Sequence, residues 1–114
     1  MATRYYLSLP DPQKARGSDA AWSFSAQGPD EFARQLQEAL RSDALFQRWR
    51  AAQDEPDAVD PALGATDAAA TVEGQQDDLH IDLIAITTIP GSILRHRLQL
   101  LAGHAWELRD VSRA

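Results

Sequence analysis

The chain has 114 residues, 44% of them apolar and 25% charged, with 11 Lys and Arg against 17 Asp and Glu and a formal net charge of −6. That length fits one domain whose core is stable without cross-links, and the absence of cysteine excludes a disulfide framework, a thiol nucleophile and any cysteine zinc site. No segment approaches the roughly 20 apolar residues of a membrane span and the start has no signal-peptide pattern, so the chain reads as soluble and cytoplasmic, with the Arg- and Ala-rich composition of a GC-rich bacterial genome.

Arg4 to Leu9 alternates, with Tyr5, Leu7 and Leu9 on one face and Arg4, Tyr6 and Ser8 on the other. Ala21 to Ala26 alternates again through Trp22, Phe24 and Ala26. Period two with aromatic enrichment predicts two half-buried strands, joined through Pro10-Asp11-Pro12 and Gly17-Ser18-Asp19 as a long-looped hairpin. Gly28-Pro29-Asp30-Glu31 then opens a helix, since proline suits the first helical position and acids complement the positive end of the dipole. Phe32, Leu36 and Leu40 mark its buried stripe, and Leu45, Phe46 and Trp49 carry the apolar content to about Gln53. Ser42 is placed to cap a second short helix, so the segment reads as one kinked helix or two.

From Ala51 to Leu94 the chain has no Lys or Arg and nine acids, so this span carries −9 and the remainder +3. Residues 54–76, rich in Ala, Asp, Pro and Gly and without periodicity, read as a flexible acidic loop. Beyond it, Leu79, Ile81, Leu83, Ala85 and Thr87 share one strand face, and Asp78, His80, Asp82, Ile84 and Ile86 the other.

Pro90-Gly91 is turn chemistry. Leu94, His96, Leu98 and Leu100 alternate after it, as do Trp106 and Leu108 after Gly103. A meander with turns at Pro90-Gly91 and Ala102–His104 pairs Leu83 with Leu98, Leu98 with Leu108 and His96 with Asp110, and keeps one apolar set on one face throughout. A helical reading of 93–102 places Arg97 inside its apolar arc and is therefore the second choice. The predicted fold is α+β: a single domain with a five-stranded antiparallel sheet in the order β-β-α-β-β-β. One long or kinked helix covers one face, packing Phe32, Leu36, Leu40 and Trp49 on Trp22, Phe24, Leu83, Leu98 and Trp106.

Three groups of residues carry chemistry-bearing side chains. Asp78, His80 and Asp82 put carboxylate, imidazole and carboxylate on one strand face, an arrangement able to bind a divalent cation or to orient a general base. A solvated strand face carries the same residue types without any chemistry, and no metal or cofactor is assigned. His96 and Asp110, cross-strand neighbours in the meander, have dyad character but no nucleophile beside them. Arg95 and Arg97 offer a phosphate or RNA patch, against which stand the net charge of −6 and the lack of a phosphate loop or stacking motif.

The strongest expectation concerns interaction. One helix cannot cover both faces of a sheet, which leaves Ile84, Ile86 and Ile93 as an apolar patch beside Arg95, Arg97 and Asp82. The chain is therefore expected to be a small non-catalytic interaction or structural module, self-associating as a homodimer or docking a protein partner through that second face.

Overall fold

The computed structural model describes residues 1–114. Strand β1 is Thr3–Leu9, as its alternation requires, with Tyr5, Leu7 and Leu9 buried. Helix α1 spans Pro29–Arg41 with Gly28 before its first turn and Asp30 and Glu31 inside it, and it buries Phe32, Ala33, Leu36, Ala39 and Leu40. At Ser42 the backbone turns extended and a separate helix α2 begins, Ala44–Ala51, with the Ser42 hydroxyl accepting from the Ala44 N–H at 3.2 Å. Strands β2, Thr71–Asp77, and β3, His80–Thr87, follow as a hairpin; helix α3 is Gly91–Ala102 and strand β4 is Glu107–Arg113.

The sheet is four-stranded in the order β2-β3-β1-β4, with every neighbouring pair antiparallel. Strands β1 and β2 therefore run parallel with β3 between them, connected by α1 and α2. Likewise β3 and β4 run parallel with β1 between them, connected by α3. Two interlocked split β-α-β units of this kind make the ferredoxin-like topology, a layer of helices on one face of an antiparallel sheet. No helix is long and apolar enough to cross a membrane.

Three expectations are corrected. The sheet has four strands, not five, because Ala21–Ala26 pairs with no strand. Trp22, Phe24 and Ala26 are buried in alternation as expected, but the extended segment lies against the end of α3, where the Phe24 N–H donates to the Leu101 carbonyl at 2.8 Å. Residues 93–102 are helix, not strand. Pro90 is the cap, its carbonyl accepting from Ile93 and Leu94, and Gly103, at φ 64°, ends the helix. Leu94 and Leu98 stand four apart, a spacing that strand alternation and helical repeat both satisfy. The two readings differ in whether His96 or Arg97 faces inward, and Arg97 does, with no exposed surface.

The third correction is to the loop at 54–76, which is tied down along its second half and ends in a strand. Short 3₁₀ turns occupy Pro56–Ala58 and Pro61–Gly64. The Asp67 N–H donates to the Leu40 carbonyl at 2.8 Å, and Arg41 Nε donates to the Ala70 carbonyl at 2.6 Å. The Asp67 carboxylate accepts from the Thr87 hydroxyl at 3.0 Å and the Thr88 N–H at 2.9 Å. Strand β2 then passes so close to α1 that a Cβ at Gly74 would overlap the Pro29 carbonyl.

Arg97 joins these parts. Its Nη1 donates to the Ala39 carbonyl, and its Nη2 donates to the carbonyls of Leu63 at 2.8 Å and Ala65 at 2.9 Å. Ala39 lies in the last turn of α1, where carbonyls lack helical partners and the dipole favours a cation. Replacing Arg97 with Met would leave the buried Ala39 carbonyl and the part-buried Leu63 and Ala65 carbonyls without donors, at about 1–3 kcal/mol for a fully buried group and less for the others. Urea denaturation of Arg97→Met is expected to show a loss of ~3–5 kcal/mol, and Arg95→Met, on an exposed position of the same helix, a change within about 0.5 kcal/mol. Equal losses for the two would refute the staple.

Candidate functional site

Strand alternation divides the sheet into two unlike faces. Ile81, Leu83, Ala85 and Thr87 of β3 and Tyr5, Leu7 and Leu9 of β1 are buried beneath the helices. On the other face the register aligns four ranks across the strands. The first is Thr71, Ile86, Arg4 and Ser112; the second Glu73, Ile84, Tyr6 and Asp110; the third Gln75, Asp82, Ser8 and Glu107; the last is Asp77 beside His80. Tyr6, Ile84 and Ile86 are only half-buried there and belong to no part of the apolar core. They form the apolar centre of an open sheet face whose rim carries Glu73, Asp77, Asp82, Glu107 and Asp110, with Arg4 and Arg109 as the only guanidinium groups.

At the hairpin end this face deepens into a concavity of about 690 Å³, bordered by Tyr6, Ser8, Asp77, His80, Asp82 and Glu107. Asp78 and Leu79 form a two-residue turn in which Asp78 takes φ 56°, a left-handed conformation that aspartate tolerates better than most residues. Gln76 Nε2 spans the turn, donating to the carbonyls of Asp78 at 2.9 Å and His80 at 3.2 Å. The tight turn makes Asp77 and His80 cross-strand partners, so His80 Nε2 lies 3.8 Å from an Asp77 oxygen and 3.3 Å from an Asp82 oxygen. Ligand atoms of Asp77, His80 and Asp82 all fall within 4.8 Å of one another. The carboxylate expected at 78 is thus replaced by that of Asp77, because the turn carries Asp78 out of the group.

The remaining sequence-derived candidates are dispersed. Ile84 and Ile86 lie on the open face, whereas Ile93, Arg95 and Arg97 lie on α3 behind the sheet. Ile93 packs against the core, Arg95 is exposed and Arg97 is buried, so the two arginines share no surface. His96 and Asp110 are not neighbours: Asp110 sits opposite Tyr6 on the open face, and His96 lies on α3 with its ring edge-to-face against Trp49, centroids 4.7 Å apart. Sequence reasoning missed Tyr6 and Asp77 as members of the face. The alternation of β1 contained Tyr6, but only the pairing of β1 beside β3 places it next to Ile84.

No family model matches the chain, and comparison with curated proteins and with solved structures returns no match.

Three groups behind the sheet, Asp67, His96 and Arg97, have shifted titrations. The Asp67 carboxyl is held below 3.8, chiefly by the Thr88 N–H; desolvation opposes this, and the Ala69 N–H and Thr87 hydroxyl add to it. His96 is held below 6.5 by burial first and by the adjacent Arg97 cation second, and its Nδ1 is buried without a partner. Above 6.5 the imidazole is neutral in folded and unfolded chains alike. As pH falls through 6.5 toward the lower folded value, the unfolded chain takes the proton first, so stability drops across that window. Urea midpoints measured between about pH 7.5 and 5.5 are expected to fall for the wild type and to fall less for His96→Gln. Identical slopes would remove His96 as the cause.

Proposed function

We propose that the protein is a cytoplasmic, non-catalytic interaction module that docks a protein partner on its open sheet face. The observation that supports this most is the composition of that face: Tyr6, Ile84 and Ile86 side by side across β1 and β3, half-exposed and outside the core, within a charged rim. Apolar centre and polar rim are the anatomy of a recognition surface. The rim charges select the occupant. Five carboxylates stand against Arg4 and Arg109, so a second copy laid face to face would bring like charge to like charge. The favoured partner presents apolar side chains flanked by Lys or Arg, for which the rim supplies complementarity and electrostatic steering. Nucleic acid is disfavoured on the same ground, since an acidic face repels phosphate and Tyr6 and His80 are its only rings for stacking.

The test is site-specific photo-crosslinking in the native cells, with the photoreactive residue at position 84 and, as control, at exposed position 48 on α2. The expected result is one dominant adduct at 84 that is absent at 48. Mass spectrometry should place its attachment site in a segment bearing Lys or Arg around apolar residues. Glu73→Lys combined with Asp110→Lys is expected to abolish that adduct while leaving the melting curve cooperative. A self-adduct, an attachment site in an acidic segment, or equal labelling at both positions would each overturn the reading.

A further inference from the structure

We propose that Asp77, His80 and Asp82 bind a divalent transition-metal ion on the open sheet face, with the Ser8 hydroxyl beside it as hydrogen-bond partner to a metal-bound water. The donors are held by the fold rather than by chance approach. His80 and Asp82 project from the same face of β3, two residues apart, and Asp77 is locked opposite His80 by the shortest possible hairpin connection. Ligands bonded at about 2.1 Å to a tetrahedral ion stand roughly 3.4 Å apart. The spacings of 3.3 Å from His80 Nε2 to Asp82 and 3.8 Å to Asp77 match that figure within the reach of a carboxylate rotation.

Ser8 supplies the independent observation. It stands on β1 directly opposite Asp82, faces the same concavity and is only 5% exposed, and no side chain or backbone group of the chain engages its hydroxyl. A hydroxyl so enclosed, open only to a polar hollow, is placed to pair with water held there. A water on a metal held by Asp77, His80 and Asp82 would be such a partner, and outer partners of this kind orient and strengthen metal sites. Three protein ligands leave coordination positions open to water.

The donor set selects the ion. One imidazole nitrogen with two carboxylate oxygens suits first-row ions such as Zn²⁺ more than Mg²⁺ or Ca²⁺, which take oxygen donors. The lack of cysteine removes any thiolate competitor for zinc.

Calorimetric titration of the full chain with zinc chloride near neutral pH is expected to show one saturable site, with weaker or no binding of Mg²⁺. His80→Asn and Asp82→Asn are each expected to weaken zinc binding by more than about tenfold, and Ser8→Ala by about tenfold. Asp78→Asn, one residue outside the group, is expected to leave it unchanged. Imidazole ¹⁵N spectra of the wild type provide a readout independent of any variant's folding: zinc should move the His80 resonances and not those of His96 or His104. Absence of saturable binding, binding that survives His80→Asn, or His80 resonances unmoved by zinc would overturn the proposal. Mg²⁺ binding as tight as zinc would reduce the group to an ordinary acidic surface and overturn it equally.

Discussion

The architecture depends on one buried cation. Arg97 has no exposed surface and faces no carboxylate at hydrogen-bonding distance; its guanidinium is held by the carbonyls of Ala39, Leu63 and Ala65. Burial lowers its pKa, and the nearby Asp43 charge opposes that shift. An arginine nonetheless stays protonated, so the interior must solvate a permanent charge with backbone dipoles. This fixes three elements at once. The last turn of α1 gains a donor, the segment around Pro61–Gly64 acquires a position, and α3 is rotated so that Leu94, Leu98 and Leu101 are buried in the core. The interaction is one of specificity as much as energy, because another arrangement of α3 would bury the same charge without its acceptors.

The same arginine explains where sequence reasoning failed. Strands β1 and β3 and helix α1 were legible because each buries a periodic set with no competing period. Residues 93–102 were not, since Leu94 and Leu98 fit both periods and the deciding position was a charged residue that ordinary expectation keeps outside. Strand β2 was hidden for another reason: as an edge strand it buries only Val72 fully, and Gly74 and the glutamines give no alternation to read. The loop before it lacked periodicity because its order comes from backbone and side-chain hydrogen bonds to distant groups, at Leu40, Thr87 and Arg97. Of the open face, Ile84 and Ile86 could be read from the alternation of β3 alone. Asp77 could not, because its place beside His80 is set by the length of one turn.

The charge segregation of the chain acquires a structural meaning. The stretch from Ala51 to Leu94 without Lys or Arg contains both β2 and β3, half of the open sheet. Of its nine acids, Glu73, Asp77 and Asp82 lie on the open face, whereas Asp67 lies behind the sheet and Asp57 pairs with Arg50 of α2. The arginines of α1 and α2 lie with the helices on the other side. The acidic rim of the open face acts on the charge of an approaching partner before contact.

Strand β1 occupies an inner position in the sheet, between β3 and β4, although it is the first element of the chain. Both of its neighbours begin about 70 residues or more further along the chain. Until residue 80 emerges from the ribosome β1 has no partner on either side, and until residue 107 it has only one. Local helices can form early, but the sheet cannot close before the last strand arrives, and loop closure across nearly the whole chain comes first. The nascent protein thus passes through a stage in which an aromatic, alternating strand has free edges. Throughout that interval the strand is open to pairing with the wrong edge.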